Sequence, residues 1–354
     1  MIDKQLSKKI LTLGVSKTTY GGMTSVLVSY EKCFEQMRFI PTWRLGHKIV
    51  KVWYAFQAIV CCFFLLLFDK RIKILHIHGA ANASFYRKEV FLKMGKRFGK
   101  KVVFHQHAAD FREFFEQSDD KLRIVDVINL CDKLIVLSQS WKSYFIGIGV
   151  AENKICILNN IVFPPKERTE KIPHAKLHLL YLGEISHRKG IFDLLDMLKS
   201  NKTYFEGKIL LRVGGNSVDG DIDLFIMEHN LSSMVKYEGW VSGSKKEESL
   251  EWADLYILPS YNEGLPIAIL EAMSHSVPVI STEVGGIPEI LEPYKNGILI
   301  EAGNLEQIKN AISFFIEYPE KVCEYGKSAY VSVQPFFPEK VFEQLKNIYE
   351  DLLL

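Results

Sequence analysis

The segment from Ser260 to Leu291 constrains the fold of this 354-residue chain more than any other. The apolar strand candidate Leu255–Pro259 precedes it, and Pro266 stands where a helix would begin. Proline is favoured at the first helical position because its missing N–H would be unpaired there anyway. The apolar run Ile267–Met273 follows, and then the apolar segment after Pro278. The sequence therefore predicts a strand–helix–strand unit.

Two carboxylates belong to this unit. Glu263 lies in the loop before the predicted helix, and Glu271 lies about a turn and a half inside it. At roughly 1.5 Å of rise per residue, the two can hold different parts of one ligand. The helix is apolar on nearly every side, so Glu271 is expected to be partly buried and to need hydrogen-bond donors such as sugar or ribose hydroxyls. Gly264 and Leu265 offer backbone N–H groups at the helix N-terminus, where electron-rich oxygens bind well.

The whole segment resembles the E-x7-E signature of glycosyltransferase family 4, the retaining, nucleotide-sugar-dependent enzymes of the GT-B fold. Two glutamates eight apart are common by chance, but the complete string is not. The alternative is an ordinary strand–helix–strand unit with a solvent-facing glutamate. The matching residues are Glu263, Gly264, Leu265, Pro266, Glu271, Ala272, Met273, Pro278, Val279, Gly285, Gly286 and Asn296–Gly297.

The resemblance implies an α/β chain of two Rossmann-like, doubly wound domains facing a central cleft, which suits this length. The proline-rich, charged stretch 163–173 indicates an interdomain linker. We therefore expect an acceptor-side domain over 1–163 and a nucleotide-sugar-binding domain over 174–337. The amphipathic helix expected within 338–354 is predicted to complete the first domain, because in the family such a helix returns to that domain.

Charge is distributed unevenly between the two halves. Residues 1–163 contain 25 Lys and Arg against 13 Asp and Glu, a net charge of +12, and the remainder is net −10. This difference indicates different partners for each half, or faces of opposite sign that help the halves associate. The six cysteines form no C-x2-C pair, and the N-terminus lacks a signal-peptide pattern. We expect a cytoplasmic enzyme without structural zinc.

The first half offers two weaker candidates. Gly21 and Gly22 follow the strand expected at Lys9–Val15, and the resemblance places this loop near the donor phosphates and the acceptor. A second strand, Lys101–Phe104, is followed by two histidines. The family has a histidine here that faces the donor sugar, and His107 fits that place best, with His105 as the alternative.

In the second half, Arg188 and Lys189 lie in the loop after the strand Leu177–Leu182. Cations at a strand–loop–helix junction are suited to phosphate, although exposed Lys and Arg are common anywhere. Relatives often have Arg where this chain has Glu184, so Arg188 is expected to take that role together with Lys189. Gly214 ends another strand, beside the expected nucleotide.

The resemblance also implies roles. Arg188 and Lys189 would neutralise the leaving diphosphate, Glu271 would hold the ribose, and Glu263 the donor sugar. His107 would contact the sugar from the other domain. The donor phosphate itself would accept the proton of the acceptor, so no separate carboxylate base is assigned. The cations would do the work of a metal, and no cofactor is expected beyond the nucleotide-sugar co-substrate, UDP- or GDP-linked.

We thus expect a retaining hexosyltransferase that acts on a lipid-linked or oligosaccharide acceptor in bacterial surface polysaccharide biosynthesis, with no nucleic-acid partner. An NAD(P)-dependent oxidoreductase is one alternative, but no G-x-G-x-x-G follows the first strand. The other is a catalytically silent glycan-binding scaffold, against which the intact glutamates and cations argue.

Residues 46–68 form a long helix candidate that ends in the apolar run Ile59–Phe68. Ten apolar residues are well short of the ~20 that span a bilayer. Basic residues flank this run within 44–73, which suits peripheral contact with an anionic membrane at the inner face of the plasma membrane. The alternative is a crossover helix buried beneath the first sheet.

Overall fold

A computed structural model describes residues 1–19, 22–167 and 171–354. The chain forms two compact units. The first comprises Met1–Ile161 together with Pro338–Leu354, and the second comprises Val162–Phe337. Residues 163–167 and 171–173, from the stretch predicted to be a linker, belong to the second unit. The buried Lys171 anchors this stretch there by donating hydrogen bonds to the carbonyls of Leu250 and Glu251, at 2.8 and 2.7 Å.

Each unit has one six-stranded sheet in which all neighbouring pairs are parallel. The first is ordered β2-β1-β3-β4-β5-β6 and the second β12-β11-β10-β7-β8-β9. The strands are β1 (Ile10–Gly14), β2 (Phe39–Pro41), β3 (Ile74–Gly79), β4 (Lys101–Gln106), β5 (Lys133–Val136), β6 (Ile155–Ile157), β7 (Leu177–Leu182), β8 (Ile209–Gly214), β9 (Val235–Tyr237), β10 (Leu255–Leu258), β11 (Val279–Thr282) and β12 (Gly297–Ile300).

Helices follow most of the strands, because the crossover between parallel strands is usually an α-helix. They are α1 (Lys4–Ser7), α2 (Gly22–Glu31), α3 (Lys48–Phe68), α4 (Asn82–Arg97), α5 (Phe111–Gln117), α6 (Lys121–Asn129), α7 (Gln139–Gly147), α8 (Ile191–Ser200), α9 (Lys202–Phe205), α10 (Ile222–Glu228), α11 (Ser244–Trp252), α12 (Ile267–Ser274), α13 (Leu305–Glu317), α14 (Glu320–Val333) and α15 (Pro338–Asp351). Short 3₁₀ turns lie at Glu152–Lys154, His187–Lys189, Ile287–Glu289 and Gln334–Phe336.

The two faces of the first sheet differ in chemistry. On β3, Leu75 and Ile77 point into the hydrophobic core together with Phe104 of β4. The alternate residues His76 and His78 point to the other face, because side chains alternate along a strand. There they meet His105 and His107, Tyr30 of α2 and Tyr349 of α15. The hydroxyl of Tyr349 and Nδ1 of His76 are 2.5 Å apart, which ties α15 to the first unit.

Helix α3 lies within the predicted range 46–68, but it differs from the prediction in apolar length and in burial. It runs over 21 residues, and it is long and apolar enough, by length and composition alone, to cross a membrane. The expectation that its apolar part is too short to do so is therefore wrong. Burial beneath the sheet is also incomplete, since Ala58, Cys62 and Leu66 are its buried residues.

Candidate functional site

In the second sheet, β7 and β10 are neighbours, and the strand order extends in opposite directions from them. Beside β7 lie β8 and then β9, whereas beside β10 lie β11 and then β12. In open α/β sheets, ligands bind outside the carboxyl ends of the strands at such a switch point. Strands β7 and β10 end at Leu182 and Leu258. The loops that follow them carry the predicted residues Arg188, Lys189 and Glu263, so the fold brings these residues together.

The centre of this site is a buried ion pair. Nζ of Lys189 lies 2.5 Å from Oε1 of Glu263, and the side chains are 15% and 5% exposed. The Ser260 hydroxyl donates to the same oxygen at 2.7 Å. Because both contacts reach Oε1, Oε2 of Glu263 stays available to further donors.

Arg188 lies beside this pair and is more exposed. Its Nη2 donates to Oε1 of Glu184 at 3.1 Å, and its Nη1 donates to the carbonyl of Asn262 at 3.2 Å. Ser186 also donates to Glu184, at 3.0 Å. Glu184 therefore orients Arg188 toward the loop of Glu263.

Two glycines allow these loops to approach each other. Gly190 has φ +69°, and a Cβ there would lie 2.0 Å from the Pro259 carbonyl oxygen. Gly285 has φ +58°, and its Cβ would lie 1.9 Å from the carbonyl oxygen of Glu263. Both the left-handed backbone and the close contact require glycine. The glycine after β11 thus supports the backbone that presents Glu263.

Glu271 has a partner that the sequence analysis missed. It lies in α12, and Nζ of Lys246 in α11 is 2.5 Å from its Oε1, with side chains 20% and 25% exposed. The prediction of partial burial is correct. Lys246 lies in an ordinary charged stretch and belongs to no motif. Only its position on α11 brings it close to Glu271. Pro266 is the N-cap residue and not the first helical one, and Leu265 is buried.

Gly214 has a packing role. A Cβ there would lie 2.7 Å from Leu182 and 2.9 Å from Val241. Its carbonyl also accepts a hydrogen bond from the N–H of Gly183 at 2.9 Å. Gly214 therefore holds the ends of β7 and β8 side by side.

Two overlapping D-x-D triplets follow β8, at 219–221 and 221–223, and the prediction of a metal-free mechanism overlooked them. Asp219 accepts from the backbone and ring of His187, at 3.0 and 2.9 Å, and Asp221 caps α10. Among the described residues, His76, His78 and His105 form one group that could hold a metal, and His174, His178 and Asp254 form another. Neither group includes the Lys189–Glu263 pair. A site that needs no metal remains a prediction.

The first unit contains the remaining predicted residues. Gly21 lies outside the described residues. Gly22 begins α2, and a Cβ there would meet nothing within 4 Å, so packing does not require glycine. His107 follows β4, and its Nε2 is 2.9 Å from Nδ1 of His78. Burial lowers the pKa of His107 to about 3, so the ring is neutral, and its Nδ1 has no hydrogen-bond partner in the part of the chain that is described. His105, the alternative, is fully buried.

Residues 163–332 match the family described as "Glycosyl transferases group 1". Over 277 residues the chain is 24% identical to the amylovoran biosynthesis glycosyltransferase AmsK of Erwinia amylovora, an alignment that covers 75% of this chain and 64% of that protein. It is 26% identical over 240 residues to the lipopolysaccharide 1,6-galactosyltransferase of Escherichia coli strain K12, an alignment that covers 65% of this chain and 64% of that protein. The chain thus aligns with less than two thirds of the length of these relatives.

Among solved structures, Anabaena Alr3699/HepE in complex with UDP superimposes with a TM-score of 0.76 at 18% identity, over 97% of this chain and 100% of that one. HepE has also been solved in complex with UDP-glucose. At this identity the likeness shows the fold. The chain therefore has the GT-B fold, and its residues 163–332 are similar to the group 1 glycosyltransferases.

Proposed function

We propose that this chain is a retaining glycosyltransferase that moves a hexosyl group from a nucleotide-sugar donor to a glycan acceptor. The observation that carries the proposal is the Lys189–Glu263 pair, with Arg188 beside it, at the switch point of the second sheet. The complexes of HepE with UDP and with UDP-glucose support a nucleotide-sugar donor. The donor of this chain is therefore proposed to be UDP- or GDP-linked, and no other cofactor is proposed.

Transfer breaks the bond between the anomeric carbon and a phosphate oxygen, so negative charge develops on the leaving diphosphate. Fixed cations at that position stabilise the transition state more than the ground state. An ammonium group has three donors, and Glu263 uses one donor of Lys189. The other two, together with the guanidinium fork of Arg188, are suited to phosphate oxygens. In the proposed retaining reaction, the same phosphate accepts the proton of the acceptor hydroxyl.

The carboxylates would hold the neutral parts of the donor. Oε2 of Glu263 can accept from sugar hydroxyls while Lys189 and Ser260 hold Oε1. Glu271, whose Oε1 is held by Lys246, is proposed to accept from the ribose hydroxyls. On the first unit, His107, whose ring is neutral, is proposed to contact the donor sugar.

The acceptor is proposed to be a lipid-linked glycan intermediate in the assembly of a bacterial surface polysaccharide, with the enzyme at the cytoplasmic face of the plasma membrane. The names of the relatives from Erwinia amylovora and Escherichia coli, which concern amylovoran and lipopolysaccharide, support this pathway class.

The experiment that tests the reaction starts with a panel of nucleotide sugars, ranked by thermal shift, followed by transfer to a lipid-linked glycan extract. The anomeric configuration of the product is then read by NMR, with and without excess EDTA. We expect retention, and activity that survives EDTA. An inverted product would contradict the retaining mechanism. Loss of activity in EDTA would contradict the metal-free mechanism. If neither transfer nor donor hydrolysis occurred with any donor of the panel, glycosyl transfer itself would be contradicted.

Replacing Glu271 by glutamine is expected to raise the Kd for the free nucleotide by about 10- to 100-fold. A hydrogen bond to a charged acceptor contributes roughly 1.5–3 kcal/mol, and the amide can no longer accept on both oxygens. Calorimetric titration with UDP and GDP measures the change. The matched control is Glu248→Gln on α11, where the side chain is exposed. An unchanged Kd for Glu271→Gln would remove this residue from the nucleotide site.

A further inference from the structure

Helix α3 is apolar on two opposite faces. From Val52 to Phe68 it has no charged residue, and its one amide is Gln57. Ala58, Cys62 and Leu66 lie at helical spacing and are buried in the core of the first unit, with Ile59 and Leu65 packed against that core. This face fixes the helix to the domain.

The opposite face of α3 is exposed. Helices that are apolar all round are normally buried or membrane-embedded, yet Ile49 is 83% exposed, Phe68 73% and Trp53 57%. The exposed apolar side chains extend along the whole helix, about 31 Å at 1.5 Å per residue. A continuous apolar strip of this kind marks an interaction surface. Its members are Ile49, Val50, Val52, Trp53, Phe56, Phe63, Phe64, Leu67 and Phe68.

The charges around this strip have one sign. The stretch 36–73 contains seven Lys and Arg and a single acidic residue, Asp69. Arg38 and Arg71 already neutralise Asp69, with both ion pairs at 2.8 Å. Exposed Arg44 and Lys48 lie at the start of α3, and exposed Lys70 lies just past its end. Both ends of the strip are therefore positive.

We propose that the strip from Ile49 to Phe68 is a docking surface for an anionic lipid bilayer, on which α3 lies parallel to the membrane plane. Apolar side chains enter the boundary between head groups and acyl chains, and the cations at both ends contact anionic head groups. If α3 crossed the bilayer, Ala58, Cys62 and Leu66 would have to leave the core of the first unit. The helix is therefore proposed to lie parallel to the membrane plane. This inference goes beyond the proposed glycosyl transfer and does not depend on it.

The test is co-sedimentation of the full chain with vesicles of phosphatidylcholine, with or without phosphatidylglycerol, at low and high salt. Neither donor nor acceptor is present, so the result is independent of the proposed reaction. We expect at least tenfold stronger partition onto anionic vesicles, and weaker partition in high salt because salt screens the charges. The double variant Trp53→Glu/Phe64→Glu should lose at least tenfold in partition. Since both side chains are exposed, its thermal unfolding should match the wild type.

The matched control is Leu122→Glu/Leu130→Glu, which adds the same two charges to the same unit at leucines that are 83% and 42% exposed and lie outside α3. This control should bind vesicles as the wild type does. Failure of the wild type to sediment with anionic vesicles at low salt would overturn the proposal. So would equal partition of the double variant. Self-association that the double variant abolishes, without vesicle binding, would assign the strip to a second copy of the chain.

Discussion

Replacing Lys189 by alanine is expected to lower kcat by about 10²–10³, the effect typical of removing a fixed donor from a developing negative charge. The KM for the donor should change less, because the diphosphate charge is largest in the transition state. The 2.5 Å contact with Glu263 fixes the ammonium group before substrate arrives. Arg188→Ala should act in the same direction. Steady-state kinetics with the donor found in the panel measure both variants.

Lys189→Ala also leaves Glu263 as an unpaired buried carboxylate, which can cost stability by itself. The double variant Lys189→Ala/Glu263→Gln removes that charge, so it should regain thermal stability without regaining turnover. Lys199→Ala is the matched control, because Lys199 lies on α8 with a half-exposed side chain about 3.9 Å from Asp196. Near-wild-type kcat in both Lys189→Ala and Arg188→Ala would show that the diphosphate is neutralised elsewhere.

The sequence predicts most of this fold because long buried strands have a continuous apolar pattern. The prediction for β7 at Leu177–Leu182 is correct to the residue, and the expected first strand at Lys9–Val15 contains β1. Strand β2 has three residues and ends at a proline. It was missed because so short a segment has no periodicity, and its position at the sheet edge depends on pairing with β1.

The candidate site is only partly predictable for a related reason. The loop after β7 contains Arg188 and Lys189, and the loop after β10 contains Glu263. Because β7 and β10 are neighbours in the sheet, these loops lie side by side. The contact between Lys246 and Glu271 depends on which face of α11 turns toward α12, and a sequence without a motif does not show this. The orienting effect of Glu184 on Arg188 likewise depends on loop conformation.

The sequence analysis treated His107 and His105 as alternatives, and the structure joins both with His76 and His78. His78 pairs directly opposite His105 in the parallel register of β3 and β4. The spacing of two residues along each strand brings His76 and His107 onto the same face. The rings contact one another, with His76 Nε2 3.3 Å from His105 Nδ1. Only knowledge of the strand pairing could have shown that these four rings form a cluster.

This cluster should make the first unit sensitive to acid. Burial is the main cause that lowers the pKa of His76 to about 3 and the pKa values of His78 and His105 well below the ordinary value. The neighbouring His76 and His107, and to a smaller extent Lys88, lower the pKa of His78 further. In the unfolded chain a histidine has a pKa of about 6.5. The unfolded state therefore binds more protons below that pH, and the free energy of unfolding falls as the pH falls.

Between pH 7 and pH 5.5, each of the three fully buried histidines is expected to remove about 1.3 kcal/mol, or about 4 kcal/mol together. That is a large part of the roughly 5–15 kcal/mol that stabilises a domain. Urea unfolding across this pH range, with hydrogen exchange to follow β3 and β4, measures the loss. His105→Gln should reduce the pH slope by about one proton, whereas His47→Asn, at an exposed histidine of the same unit, should not change it. A wild-type free energy that changes by less than about 1 kcal/mol over this range would show that the cluster accepts protons in the folded state.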